Sequence, residues 1–407
     1  MTFSRQRRPV RLSMRVLAPL VLACITAFSA GAASLDDAPE AMLLQSVDSL
    51  RAGNLQAGAH QLRDLLQKHP NFRLAQLLYG EVLSARSGVP GAGVDLAALG
   101  DNPQLHALRA EYRARVAAAE QDPIRGKIPA GILQLPDDAH HAVVVDLRRS
   151  RLYVLDRTAD GLKVSRSYYA SIGQAGFGKD KSGDLRTPIG IYRVTAWKPG
   201  RQLGAIYGVG ALPLSYPNPW DRAHGRTGHG IWIHGVPFDT YTRAPLATEG
   251  CVALANADVQ VLRPYFAGDA DTPVILTDDL HWQKPGLNAG LRNSLEHTID
   301  GWRRAWSARD TDAYLSYYAD DFRAEGGMDL AAFAVYKQHV NTTKKHIDVK
   351  VRDLGLYEYP GINNVVLAQF IQDYQSDNFK QTSRKQQFWQ HQPNGTWKIV
   401  FEASDAF

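Results

Sequence analysis

Gly230-Ile231-Trp232-Ile233-His234-Gly235 and Thr248-Glu249-Gly250-Cys251-Val252-Ala253-Leu254 decide how this chain is read. In the first stretch an apolar strand ends on a histidine. In the second a cysteine stands in a glycine turn that leads into another apolar run. A thiol is a weak nucleophile until its proton is removed, so a working cysteine needs an imidazole beside it. The imidazole must be held in one tautomer through its other nitrogen, and a backbone carbonyl can do this. A glycine next to the cysteine lets backbone N–H groups turn towards a developing oxyanion. Cys251, His234, Gly235 and the Gly250-Cys251 turn fill these roles. Cys251 lies seventeen positions after His234, so no local turn joins them and only a fold brings them together. The plainer reading is a satisfied core histidine and an inert buried thiol. The complete set favours catalysis.

A third stretch belongs with these two. Lys181-Ser182-Gly183-Asp184-Leu185-Arg186-Thr187-Pro188-Ile189-Gly190-Ile191-Tyr192 is by itself a turn-rich loop entering a strand. Taken with His234-Gly235 and Gly250-Cys251, it resembles the YkuD-type L,D-transpeptidase domain across about 150 residues. The resemblance implies a cysteine enzyme acting on peptidoglycan stem peptides at the bond after the third-position diamino acid. Terminal D-Ala leaves and an acyl-enzyme remains. It also implies Cys251 as nucleophile, His234 as base and the Gly235 carbonyl as the group that orients the imidazole.

The departures from the pattern carry information. Where members of the family commonly read Ser-His-Gly-Cys-x-Arg, this chain has Glu249 in place of the histidine and Ala253 in place of the arginine. The run from Tyr216-Pro217-Asn218-Pro219-Trp220-Asp221 to Cys251 is similar to one branch of the family. There the catalytic domain lies between N-terminal helices and a nuclear-transport-factor-2-like tail, and a member is a cell-shape-determining L,D-carboxypeptidase. That resemblance implies trimming of tetrapeptide stems to tripeptides. The alternatives are L,D-transpeptidation, by cross-linking or D-amino-acid exchange, hydrolysis of peptidoglycan–lipoprotein links, and a non-catalytic wall-binding role. Water or an amine can each resolve the same thioester, and the choice rests on pocket shape and water access. Tyr216, Trp220, Trp232 and Glu249 are the candidate substrate contacts. Tyr216–Asp221 reads equally as a proline-rich turn. An acid beside a cysteine raises the thiol pKa, so Glu249 is expected to point away or to meet substrate amines.

Outward from the site, the expected architecture is multidomain α+β. Residues 34–124 show helical periodicity, with breaks at Gly53-Asn54 and His69-Pro70, and resemble a tetratricopeptide hairpin. Residues 87–100 read as a loop. A β-rich catalytic domain is expected over 128–280, beginning with a hairpin of 142–147 and 152–155 and closing on the strand 272–277. Asn256-Ala257-Asp258 is expected to cap a helix that starts near Asp258. Residues 288–407 read as helices followed by long alternating strands, an α+β cone with a hairpin at Pro393-Asn394-Gly395. It resembles the nuclear-transport-factor-2-like superfamily, and a glycan or protein ligand is expected for it. The N-terminal helices are the candidate contact for a homodimer.

Composition bounds the rest. The 407 residues are 44% hydrophobic and 21% charged, which excludes a mostly disordered or fibrous chain. The net charge of +5 comes from Arg5, Arg7, Arg8, Arg11 and Arg15, since the remaining residues balance. Nucleic acid is therefore not an expected partner. Those arginines, the apolar run 16–28 and Ala30-Gly31-Ala32 read as a signal peptide over 1–32, cleaved near Ala32, for export to the periplasm or cell envelope. A lipoprotein at Cys24 is the weaker reading. Cleavage leaves Cys251 as the sole thiol of the two cysteines in the chain. His224, His229 and His234 recur every five residues, a spacing that suits neither a helix face nor a strand face, so no metal and no cofactor are expected.

Overall fold

A computed structural model describes residues 39–87, 102–120, 124, 126–267 and 272–406. The expected leader, and all but the first residue of the loop expected at 87–100, lie outside the described residues. Helices Pro39–Arg51, Leu55–Lys68, Arg73–Arg86 and Pro103–Glu120 form the N-terminal region. Gly53 adopts a φ of +78°, and Asn54 accepts the Ala57 N–H at 3.0 Å, so the expected break ends one helix and caps the next. Leu43, Leu62, Leu65, Phe72 and Leu74 fill the space between these helices.

The central domain is built on two sheets. In the larger, the strands run in the order Gly161–Tyr169, Arg151–Thr158, His141–Asp146, Pro273–Thr277, Gly190–Arg193. Pro273–Thr277 lies parallel to His141–Asp146 and antiparallel to Gly190–Arg193, so this late strand lies inside the sheet rather than at its edge. The second sheet orders Val252–Ala253, Trp232–His234, Gly210–Pro213 and Lys198–Pro199. Alternate apolar residues from both sheets, among them Val143, Leu152, Leu212, Ile233, Val252 and Val274, make one core between them.

The tail sheet has the order Tyr318–Ala324, Trp397–Ala406, Lys380–His391, Val365–Ser376, Ile347–Glu358, Ile132–Gln134. Helices Ala289–Ser307, Thr311–Leu315 and Leu330–Thr343 cover one face through Trp302, Trp306, Val366 and Trp389. Residues of opposite parity, Tyr357, Leu367 and Phe388, face the other way and pack with Val144, Ile191 and Trp220 of the central domain. Two features differ from the sequence reading. The helix Leu330–Thr343 was not expected. Ile132–Gln134, read as the start of the catalytic domain, pairs with Leu356 and Tyr357 as the sixth strand of the tail sheet.

Candidate active site

The strands Trp232–His234 and Val252–Ala253 are parallel neighbours, with Ile233 opposite Val252 and His234 opposite Ala253. Cys251 precedes this pair by one residue, which sets it opposite Trp232. Residues two apart share a face, so Trp232, His234 and Cys251 project to the same side of the sheet. The pairing thus joins the two motif residues that lie seventeen positions apart in the sequence. Leu254 N–H donates to His234 O at 2.9 Å and continues the pairing beyond the cysteine.

His234 is 3% exposed, and its Nδ1 lies 2.5 Å from the Gly235 carbonyl. A carbonyl only accepts, so Nδ1 carries the proton and Nε2 keeps its lone pair for the thiol. Burial pushes the imidazole down to about 4, and Arg243 adds to this, while the bond to Gly235 opposes it. Cys251 is half-buried and its Sγ contacts the Gly230 carbonyl at 3.4 Å. Burial raises the thiol pKa and Glu249 raises it further; a Trp232 backbone hydrogen bond, Arg243 and Lys179 oppose them. The resting pair is therefore neutral imidazole and neutral thiol.

The turn around the thiol is held from beneath. Thr248 Oγ1 donates to Cys251 O at 2.7 Å and accepts the Gly250 N–H at 3.1 Å. Gly250 has a φ of +120°, and a Cβ there would lie 2.7 Å from Arg186 O. The third motif stretch therefore packs directly behind the cysteine. Thr187, fully buried, accepts the Gly173 N–H, and Gln174 N–H reaches Thr248 O at 2.8 Å. With the Gly250 N–H taken by Thr248, the Cys251 N–H is the oxyanion donor of the expected pair without a hydrogen bond among the described residues.

Asn256 was expected to cap a helix near Asp258. The helix runs Asn256–Leu262 with Ala255 at its cap, and the Asn256 side chain acts elsewhere. Its Oδ1 accepts from Val209 N and Val236 N at 3.0 and 3.2 Å, and Nδ2 donates to Val236 O at 2.8 Å. A Cβ on Gly235 would run into Asn256 Oδ1, so this position needs a glycine beside the histidine.

Of the four candidate substrate contacts, the structure brings two to the thiol. Trp232 is half-exposed and shares its face, and Glu249 is exposed beside it. Tyr216 and Trp220 are buried instead. Tyr216 donates its hydroxyl to Thr227 O at 3.0 Å, and Trp220 stacks on Phe388 of the tail at 4.3 Å and 18°. Two residues that no motif marked do reach the site. The Tyr207 ring lies 5.0 Å from His234 and 4.9 Å from Trp232, and Arg243 acts on both reacting groups. Tyr207 ends the short turn Ala205–Tyr207 and Arg243 lies in a loop, and a histidine–cysteine spacing carries no trace of them.

Residues 140–276 match the model of the YkuD L,D-transpeptidase catalytic domain. The central domain is a YkuD domain. Residues 294–403 match the Cds6 C-terminal NTF2-like domain. The chain is similar to the helical cell shape determining protein Pgp2 from Campylobacter jejuni, at 25% identity and a TM-score of 0.57 over 72% of this chain and 98% of that one. It shares its fold with Bd1075 of Bdellovibrio bacteriovorus, at 24% identity and a TM-score of 0.58 over 69% of this chain and 99% of that one. No curated protein matches it. The YkuD domain points to an enzyme of the L,D-transpeptidase or L,D-carboxypeptidase type acting on peptidoglycan.

Proposed function

We propose that the protein is a cysteine-dependent L,D-carboxypeptidase that trims tetrapeptide stems of peptidoglycan to tripeptides in the periplasm. The observation that carries the reading is the placement of His234 and Cys251 on one face of two paired strands, with Gly235 O fixing the imidazole proton on Nδ1. His234 Nε2 takes the Cys251 proton as sulfur attacks the carbonyl of the third residue. The carbonyl oxygen becomes an oxyanion facing the Cys251 N–H. Collapse breaks the amide bond, and the departing D-Ala nitrogen takes the proton back from the imidazolium. Water then gives its proton to Nε2, attacks the thioester and releases the tripeptide and the thiol.

Support for hydrolysis, over transfer to an amine, is the layout of helices, YkuD domain and NTF2-like tail shared with a cell shape determining protein. Glu249 in place of the family's histidine is suited to the amine of the diamino acid. The tail is read as a binding module for glycan or a protein partner. Its interior holds Glu402, Lys385 and Gln387 in one hydrogen-bonded group, and Gln387 Oε1 has no partner among the described residues.

The mature protein incubated with disaccharide-tetrapeptide is expected to release D-Ala and give a product one alanine lighter by mass spectrometry. Cys251→Ala is expected to abolish the product. Cross-linked dimers, or exchange with added D-amino acids, would replace hydrolysis by transpeptidation. A Cys251→Ala protein that still remodels the wall would leave binding as the function.

A further inference from the structure

Cleaving after the third residue of a tetrapeptide makes a leaving group with its own carboxylate. That charge lies one residue, roughly 3.5 Å of chain, beyond the scissile carbonyl. It therefore enters the site beside Cys251, where Glu249 already contributes negative charge. An anion brought into a partly desolvated site needs a cation to receive it.

The cations that act most on the thiol are Lys179 and Arg243. Lys179 is buried, and its Nζ is 2.7 Å from Asp184 and bonded to Lys181 O, so its charge is already met. Arg243 is different. Its guanidinium donates to the Ile206 carbonyl at 3.4 Å, and no carboxylate lies within ion-pair distance among the described residues. Ile206 adjoins Tyr207, whose ring lies against His234 and Trp232, so the guanidinium stands at the rim of the reacting pair. Ala253, paired opposite His234 and buried, brings no charge of its own.

The backbone that carries Arg243 is held on both sides. Tyr169 Oη donates to Arg243 O at 2.8 Å, Ser171 Oγ to Ala244 O at 2.5 Å and Ile172 N–H to Pro245 O at 2.8 Å. On the other side Thr242 Oγ1 donates to Glu111 Oε1 at 2.6 Å and accepts from Arg115, both on a helix of the N-terminal region. A long cationic side chain with no carboxylate partner among the described residues thus projects from a fixed mount. This is how a residue is placed for a charged ligand rather than for the fold.

We propose that Arg243 receives the C-terminal carboxylate of the stem tetrapeptide and selects stems that end in a free D-alanine. The inference rests on the stem-peptide reading above and holds for hydrolysis and transpeptidation alike, because both release D-Ala.

The test compares two substrates on wild-type protein and on Arg243→Gln, disaccharide-tetrapeptide with its free carboxylate and the same compound as the C-terminal carboxamide. Loss of one charge-assisted contact is expected to lower kcat/KM for the acid by about 10–100-fold. The amide is expected to lose less, only the share that Arg243 contributes through His234 and the thiol, and the extra loss on the acid to lie mostly in KM. Equal loss on acid and amide, or an undiminished preference for the acid, would overturn the assignment while leaving the stem-peptide reading intact. Wild-type protein that releases nothing from either substrate would overturn both. If Arg243→Gln does not fold, the wild-type acid-to-amide ratio supplies the answer. Added salt must compress that ratio, and a ratio flat with ionic strength sinks the proposal.

Discussion

His234 serves as a base because its surroundings keep it neutral. Burial and Arg243 hold the imidazole down to about 4, while the Gly235 carbonyl fixes which nitrogen is bare. A proton on Nε2 would block transfer from Cys251, so kcat/KM is expected to fall as pH drops through about 4 and to be flat from there towards neutrality. A pH profile whose acid limb lies near the ordinary histidine value would remove His234 from this environment. Legibility at this scale was uneven for a physical reason. Cys251, His234 and Gly235 announce themselves because thiol chemistry dictates their types. Tyr207 and Arg243 reach the site through loop geometry, and nothing in their neighbours along the chain says so. Trp220 shows the converse, an aromatic beside a proline-rich turn that reads as a substrate wall and is in fact interdomain core.

Elements were legible where local chemistry ends them. Gly53-Asn54 and Pro70 mark helix boundaries, and Pro393-Asn394-Gly395 falls between the strands Lys380–His391 and Trp397–Ala406. The helix Leu330–Thr343 was not, because its Ala-rich sequence has little apolar periodicity and its inward face includes a lysine. Lys337 is buried with Nζ 4.0 Å from the Trp306 ring, and burial together with nearby Lys385 brings it down to about 7 from 10.5. Between those two values the unfolded chain keeps a proton that the folded protein has released. Stability is therefore expected to rise with pH across that window, by up to about 1.4 kcal/mol per unit. Lys337→Met is expected to flatten this slope and to stabilise the tail near neutrality. Urea midpoints at about pH 7.5 and about pH 9 measure it, and an unchanged slope in the variant would assign the titration to another group.

The whole molecule couples three units to one site. Arg115 joins Glu111 and Glu40 in a buried ion network, and Glu40 also pairs with Arg151 of the catalytic sheet at 2.7 Å. The Tyr241 ring packs on Phe72 at 4.3 Å, so the helices grip the loop that leads to Arg243. At the opposite contact, Trp220→Ala is expected to cost about 3–5 kcal/mol by opening the interface with the tail, with KM for the tetrapeptide unchanged. A raised KM without lost stability would restore Trp220 to the substrate. The pairing of Ile132–Gln134 with Leu356 and Tyr357 was illegible, since a three-residue strand has no pattern of its own and its partner lies more than two hundred residues away. That pairing also orders events during biosynthesis. The ribosome delivers residue 132 long before residue 356, and contacts so distant along the chain close slowly. The short strand Ile132–Gln134 must wait, edge bare, until its tail partner has been made. Its completion reports that the chain has been made through Tyr357.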